Sequence, residues 1–148
     1  MVDVIKHASC CLEDRGETFD VSFIFQPTAQ PRTAEDIDLA IEMFGKSNAR
    51  SLVSVYQVSD CHPVRMYRIE EGVLIPLQEE PKQRLRQALP PSFHRNGAIY
   101  LFHKSLLAEG CLMDDRPIPF VMPRESSINI DEEIDLDLAD LFLQKRMT

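Results

Sequence analysis

FDVSFIFQPTAQPRTAEDIDLAIEMF, residues 19–44, holds the pattern on which the fold turns. Its first seven residues are mostly apolar and rich in aromatic and β-branched side chains, the composition of a strand buried on both faces. Pro27 stops that strand. Thr33, followed three residues later by Asp36, has the form of a capping arrangement, and Ile37, Ala40, Ile41 and Phe44 then recur at helical spacing. Strand, polar loop and amphipathic helix therefore follow one another, the unit from which α/β sheets are assembled.

Upstream, Val4, Ile5, Ala8, Cys11 and Leu12 also recur at helical spacing, so the chain opens on an amphipathic helix ending near Arg15-Gly16, an odd beginning for an α/β protein. Downstream, residues 51–58 form a second apolar strand. Residues 65–69 and 73–77 flank Glu70-Glu71-Gly72 and predict a hairpin projecting from the main sheet. A short helix is expected over residues 82–88 before Pro90-Pro91. Residues 97–102 make a third strand, residues 104–108 a further helix, and residues 118–122 and 128–130 two short strands. Ile134, Leu138, Leu141 and Phe142 pattern a final helix with Lys145 and Arg146 near its carboxyl end. This alternation predicts a doubly wound sheet with helices on both faces and the hairpin inserted. Ligands of such sheets lie beyond the carboxyl ends of strands, which singles out residues 26–32 and the loop after Tyr100.

A length of 148 residues suits one domain with its own core. The net charge of −8 argues against a general nucleic-acid binder, which needs clustered Lys and Arg to displace phosphate counterions. Cys10, Cys11, Cys61 and Cys111 contain no C-x-x-C pair, and neither zinc nor a disulfide framework is suggested; buried or inert thiols are expected. The first residues include Asp3, Lys6, His7, Glu13 and Asp14, unlike a signal peptide, and no stretch approaches the ~20 apolar residues of a membrane span. A cytoplasmic protein acting on a small ligand, without membrane or nucleic acid, is the expectation.

Chemistry is concentrated in a few places. Asp131-Glu132-Glu133, with Asp135 and Asp137, has enough carboxylates for a hard divalent cation, yet acidic residues also complement the dipole of a helix's first turn. Asp131 stands apart because it follows Ile128 and Ile130 at alternate strand positions, where its side chain can point into a crevice while Glu132 and Glu133 begin the helix. Gln26, just after a strand, offers both donor and acceptor to a base or sugar, or else satisfies its own turn. Tyr100 lies in an apolar strand, where most tyrosines are core residues with a hydrogen-bonded tip. Arg65, Arg68, Arg84, Arg86 and Arg95 form either a solvated basic face or a set of carboxylate- or phosphate-binding guanidinium groups. No glycine-rich phosphate loop is present, and His7, His62, His94 and His103 are scattered without ligand spacing.

Three segments, Gln26-Pro27-Thr28-Ala29-Gln30-Pro31-Arg32-Thr33, Asn96-Gly97-Ala98-Ile99-Tyr100 and Ile128-Asn129-Ile130-Asp131, resemble in order and spacing those of the acylneuraminate cytidylyltransferases. Arg86-Gln87 and Leu89-Pro90 also look like that family. The resemblance covers the family's later two-thirds. It implies a Rossmann-like nucleotidyltransferase fold, a three-layer α/β/α sheet lacking its amino-terminal strands, with residues 62–90 as an inserted dimerisation arm. An incomplete sheet of this kind would leave an unpaired edge and an oligomeric or poorly soluble chain.

The implied activity is transfer of CMP from CTP to a nonulosonic, sialic-type sugar acid with release of pyrophosphate and with magnesium present. By the same resemblance Asp131 is the catalytic metal-binding carboxylate. Asn129 takes the place of a second aspartate often found two residues earlier. Gln26, Arg32, Asn96 and Tyr100 would contact substrate, with Leu112 and Met113 on a wall that some relatives build from aromatic residues. Arg65 and Arg86 match basic positions of the arm that reaches a neighbouring subunit's site, which implies a homodimer. Where the family has an arginine before Pro-Asn-Gly, this chain has His94-Arg95-Asn96. The family's CTP-holding loop, rich in Arg, Gly, Ser and Lys, has no counterpart in the sequence, so a part of a longer enzyme and a catalytically inactive dimerisation or sugar-binding module are both implied.

Overall fold

A computed structural model of the chain describes residues 1–30, 32–78 and 89–146. The helix expected over residues 82–88, with Arg84 and Arg86, lies outside them. The opening helix α1 runs Val2–Glu13, followed by strand β1, Val21–Ile24, and the two-residue strand β2, Ala29–Gln30. Helix α2, Ala34–Gly45, starts as its sequence dictates: the Asp36 backbone N–H donates to Thr33 Oγ1 at 3.1 Å, and the Thr33 backbone N–H donates back to the Asp36 carboxylate at 2.8 Å. This reciprocal cap satisfies two backbone donors that a helix start otherwise leaves unpaired.

Strand β3, Ser51–Gln57, is followed by a 3-10 turn, Pro63–Arg65, and by the hairpin of β4, Tyr67–Glu70, and β5, Val73–Pro76. Glu71 and Gly72 both have positive φ, at 50° and 82°, the backbone of a two-residue hairpin turn whose twist matches its strands. Strand β6, Phe93–His103, leads into the short helix α3, Ser105–Ala108. Strands β7, Ile118–Val121, and β8, Ile128–Asn129, precede the final helix α4, Glu133–Arg146.

The main sheet has the order β1-β6-β3-β7. Strands β3 and β7 are parallel, whereas β6 runs antiparallel to both its neighbours. The sheet is therefore mixed, and β6 departs from the uniform winding that the alternation of strands and helices predicts. Successive residues of β6 face opposite sides. Ile99 and Leu101 join Leu52, Phe120, Ala40 and Phe44, the last two from α2. Phe102 packs with Leu106 and Leu107 of α3 and with Ile5 of α1. Helices thus cover both faces, the arrangement expected of an α/β domain. Leu52, Ile99, Leu101, Phe102 and Leu106 are fully buried, each contributing about 1.5–3 kcal/mol of hydrophobic stabilisation.

Several expectations are corrected. The run at residues 19–25 is not a strand buried on both sides: β1 is shorter, is paired only with β6, and leaves Phe23 and Phe25 exposed, because it forms an edge of the sheet. In α4 it is Ala139 that is buried, while Ile134, Leu138 and Leu141 stay exposed, since this helix packs chiefly on the short β8. The thiols are not buried: Cys10 and Cys61 are exposed, and Cys11 and Cys111 are half-buried. Among the described residues no helix is long and apolar enough to cross a membrane.

Candidate functional site

The site begins at an irregularity in the central sheet. Val53 pairs with Tyr100 and Val55 with Arg95, so Ser54 alone stands opposite residues 96–99 of β6. An Asn-Gly step within an apolar strand is the sequence signal for such a bulge. Ser54 takes over the missing ladder contacts. Its hydroxyl accepts from the Ile99 backbone N–H at 2.7 Å and donates to Asn96 Oδ1 at 2.5 Å. Asn96 Nδ2 donates to Ser127 Oγ at 2.8 Å, and Ser127 donates to the Pro123 carbonyl. Ser54 and Asn96 are both buried, and unsatisfied groups there would be costly, so the network fixes the bulge against the segment that becomes β8.

The bulge leaves Gly97 at φ +73° beneath the side chain of Gln26; a Cβ there would lie 2.2 Å from Gln26 Oε1. Gln26 reaches this place because β1 ends beside β6, with Ile24 opposite Tyr100. Arg32 braces the loop from below. Its guanidinium donates to the carbonyls of Gln26 and Ala29 at 2.9 and 2.7 Å and stacks over Phe25.

Two adjoining cavities result. The first, of about 400 Å³, is lined by Gln26, Phe93, His94, Arg95, Asn96, Gly97, Tyr100 and Asn129. The second, of about 450 Å³, shares His94, Arg95, Asn96 and Asn129 and adds Asp131, Asp135, Tyr56, Arg124 and Phe142, among others. Because β6 is antiparallel, the cleft lies along its leading half rather than at the loop after Tyr100. His94, which sits edge-on to Tyr56, carries no ligand spacing with the other histidines in the sequence and so reads there as a structural or surface residue. Only the pairing of β6 with β3 brings it to the cleft.

The expected site residues divide by what their polar atoms do. Asn96 and Arg32 are engaged within the fold. The carboxamide of Gln26 and the hydroxyl of Tyr100, in contrast, face the first cavity with no hydrogen-bond partner among the described residues. Arg65 sits in the exposed 3-10 turn and lines neither cavity. Leu112 packs on the Phe102 cluster, and neither it nor Met113 lines the cleft. Arg86 lies outside the described residues.

Around Asp131 the acidic residues do different work. Asp135 Oδ2 accepts from the backbone N–H groups of Asp131 and Glu132 at 3.1 and 2.9 Å, so it caps α4. Asn129 Oδ1 accepts from Thr28 Oγ1 at 3.0 Å, and Asn129 Nδ2 donates to Asp131 Oδ2. Asp131 and Asn129, bonded to each other, offer a cation one carboxylate and one carboxamide, and the carboxylate of Glu125 lines the same cavity. One carboxylate and one carboxamide fit an ion that keeps most of its water and shares a substrate phosphate, as magnesium does, rather than a closed protein cage. Among the described residues no three His, Cys, Asp or Glu converge on a metal position. For Asn129 to ligate beside Asp131, its amide must turn over so that oxygen replaces nitrogen.

Over 135 residues, 90% of its length, the chain is 27% identical to the N-acylneuraminate cytidylyltransferase of Streptococcus agalactiae serotype V. It spans about a third (32%) of that protein's length. No family model matches the chain.

Proposed function

We propose that the chain forms the sugar-acid side of a nucleotidyltransferase site, in which CMP passes from CTP to a nonulosonic acid and pyrophosphate is released. The observation behind this reading is the convergence of Gln26 and Tyr100, with unengaged polar groups, upon a cavity whose far wall leads to Asn129 and Asp131. The likeness to a cytidylyltransferase supplies the reaction class.

In that reaction the oxygen of the anomeric hydroxyl attacks the α-phosphorus as its proton passes to solvent water, the bond from the α-phosphorus to the bridging oxygen breaks, and that electron pair leaves with pyrophosphate. Catalysis then depends on positioning and on stabilising charge. Gln26 donates to and accepts from sugar hydroxyls through its amide, and Tyr100 offers a phenolic hydroxyl beside an aromatic face. A magnesium ion held by Asp131, with the Asn129 oxygen beside it, would supply the Lewis acid that neutralises the phosphate charge. With its amide turned over, Asn129 keeps its contact with Thr28 by donating Nδ2 to the Thr28 hydroxyl oxygen in place of the present Thr28-to-Asn129 bond.

The same reading includes a homodimer. The β4–β5 hairpin and the residue after it expose Ile69 and Leu74 at 74% and 61%, along with Tyr67, Val73 and Leu77, apolar side chains that a second copy could cover. Sedimentation of the chain beside a variant with Ile69→Glu and Leu74→Glu tests this; a dimer that dissociates in the variant is expected.

The activity is tested by pyrophosphate release from CTP and magnesium with a panel of nonulosonic acids, comparing the chain with Asp131→Ala. Release that depends on the acid and on Asp131 is expected. Saturable acid binding without release would instead make the chain a sugar-binding module, and release unaffected by Asp131→Ala would remove Asp131 from the mechanism.

A further inference from the structure

We propose that Arg95 anchors the carboxylate of the acid substrate on the wall that the two cavities share. This inference rests on the sugar-acid reading above and deepens it by fixing which end of the acid lies where. Arg95 is the only arginine or lysine among the described residues lining the Gln26 cavity, and it also lines the Asp131 cavity. Its guanidinium makes no ion pair or hydrogen bond among the described residues. Arg124, the other arginine lining the Asp131 cavity, is engaged, as are two arginines that line neither cavity. Arg32 is bound to two carbonyls, Arg68 to Glu70 and Arg124 to the Ser59 hydroxyl.

Its backbone is also fixed. Arg95 pairs with Val55 immediately before the bulge, and the next residue, Asn96, is pinned by Ser54 and Ser127. The guanidinium therefore projects from a rigid strand, with a planar fork that matches a carboxylate in two parallel hydrogen bonds. In a nonulosonic acid the carbon bonded to the carboxylate also bears the anomeric hydroxyl. A carboxylate held on the shared wall keeps that hydroxyl within reach of the Asp131 cavity when the rest of the acid lies along Gln26 and Tyr100.

The test uses the full chain labelled with 15N-arginine, its Arg95 Nε–H resonance assigned by its loss in Arg95→Gln. N-acetylneuraminate, its neutral methyl ester, pyruvate and methyl pyruvate are titrated separately, and calorimetry follows the affinity of both chains for neuraminate. The expected result is a saturable Arg95 shift with the two carboxylates and none with the esters. Affinity for neuraminate in Arg95→Gln should fall on the order of ten- to a hundred-fold, the loss of a charge-assisted contact. A shift with pyruvate alone supports the anchor and removes the sugar-acid reading. Neuraminate that perturbs the Gln26 side-chain amide but not Arg95, or no saturable Arg95 shift with either carboxylate, overturns the anchor.

Discussion

Replacing Gly97 by alanine separates the two demands that the bulge makes on this position. At φ +73° an alanine sits in the left-handed region, which costs about 1–2 kcal/mol for an L residue. Its Cβ would also lie 2.2 Å from Gln26 Oε1 and 3.3 Å from Gln26 Cδ. The colliding atoms are the far end of a flexible side chain, so Gln26 swings away at little cost to stability and leaves the cavity. Gly72 is the control: it has φ +82° but nothing within 4 Å of an added Cβ. Both variants should therefore lower the urea midpoint by about 0.5–1 M, given a slope of about 2 kcal/mol/M. Only Gly97→Ala should shift the side-chain amide resonance of Gln26 and weaken acid binding. If that resonance is the same in Gly97→Ala as in the unaltered chain, the close approach of Gln26 to the bulge is wrong.

Ser54→Ala removes the acceptor of the Ile99 N–H and the hydroxyl donor to Asn96; a loss of about 1–3 kcal/mol is expected in chemical denaturation, and a loss too small to resolve would dismiss the network as a stabilising element. Thr33→Ala breaks the cap of α2 and should cost about 1 kcal/mol in thermal unfolding, with Thr33→Ser close to neutral. In the hairpin turn, Glu71→Asn suits the positive φ of 50° better and should raise stability by a few tenths of a kcal/mol to about 1 kcal/mol. Asn129→Asp places a second carboxylate beside Asp131; Mn²⁺, followed by the relaxation of water protons, should bind more tightly than to the unaltered chain, and an unchanged affinity would take position 129 out of the cation site.

Much of this protein is legible in its sequence because the relevant signals are local. The Thr33–Asp36 cap, the 3.6-residue spacing of α2, the glycine of the hairpin turn and the apolar run within β6 all depend on residues a few positions apart, which the backbone alone brings together. The placements of Gln26 after β1 and of Asn129 and Asp131 near β8 are also legible as strand-end positions. The direction of β6 is not, since an apolar run reads the same way in either orientation. That direction, and the bulge opposite Ser54, are set by pairing between distant segments. They decide that Gln26 rests on Gly97, that Asn96 and Arg32 are consumed by the fold, and that His94 and Arg95 reach the cleft. Residue types and periodicity determine the elements and name the polar candidates. Only sheet pairing, which commits some of their hydrogen-bonding groups and leaves others unengaged, decides which face a ligand.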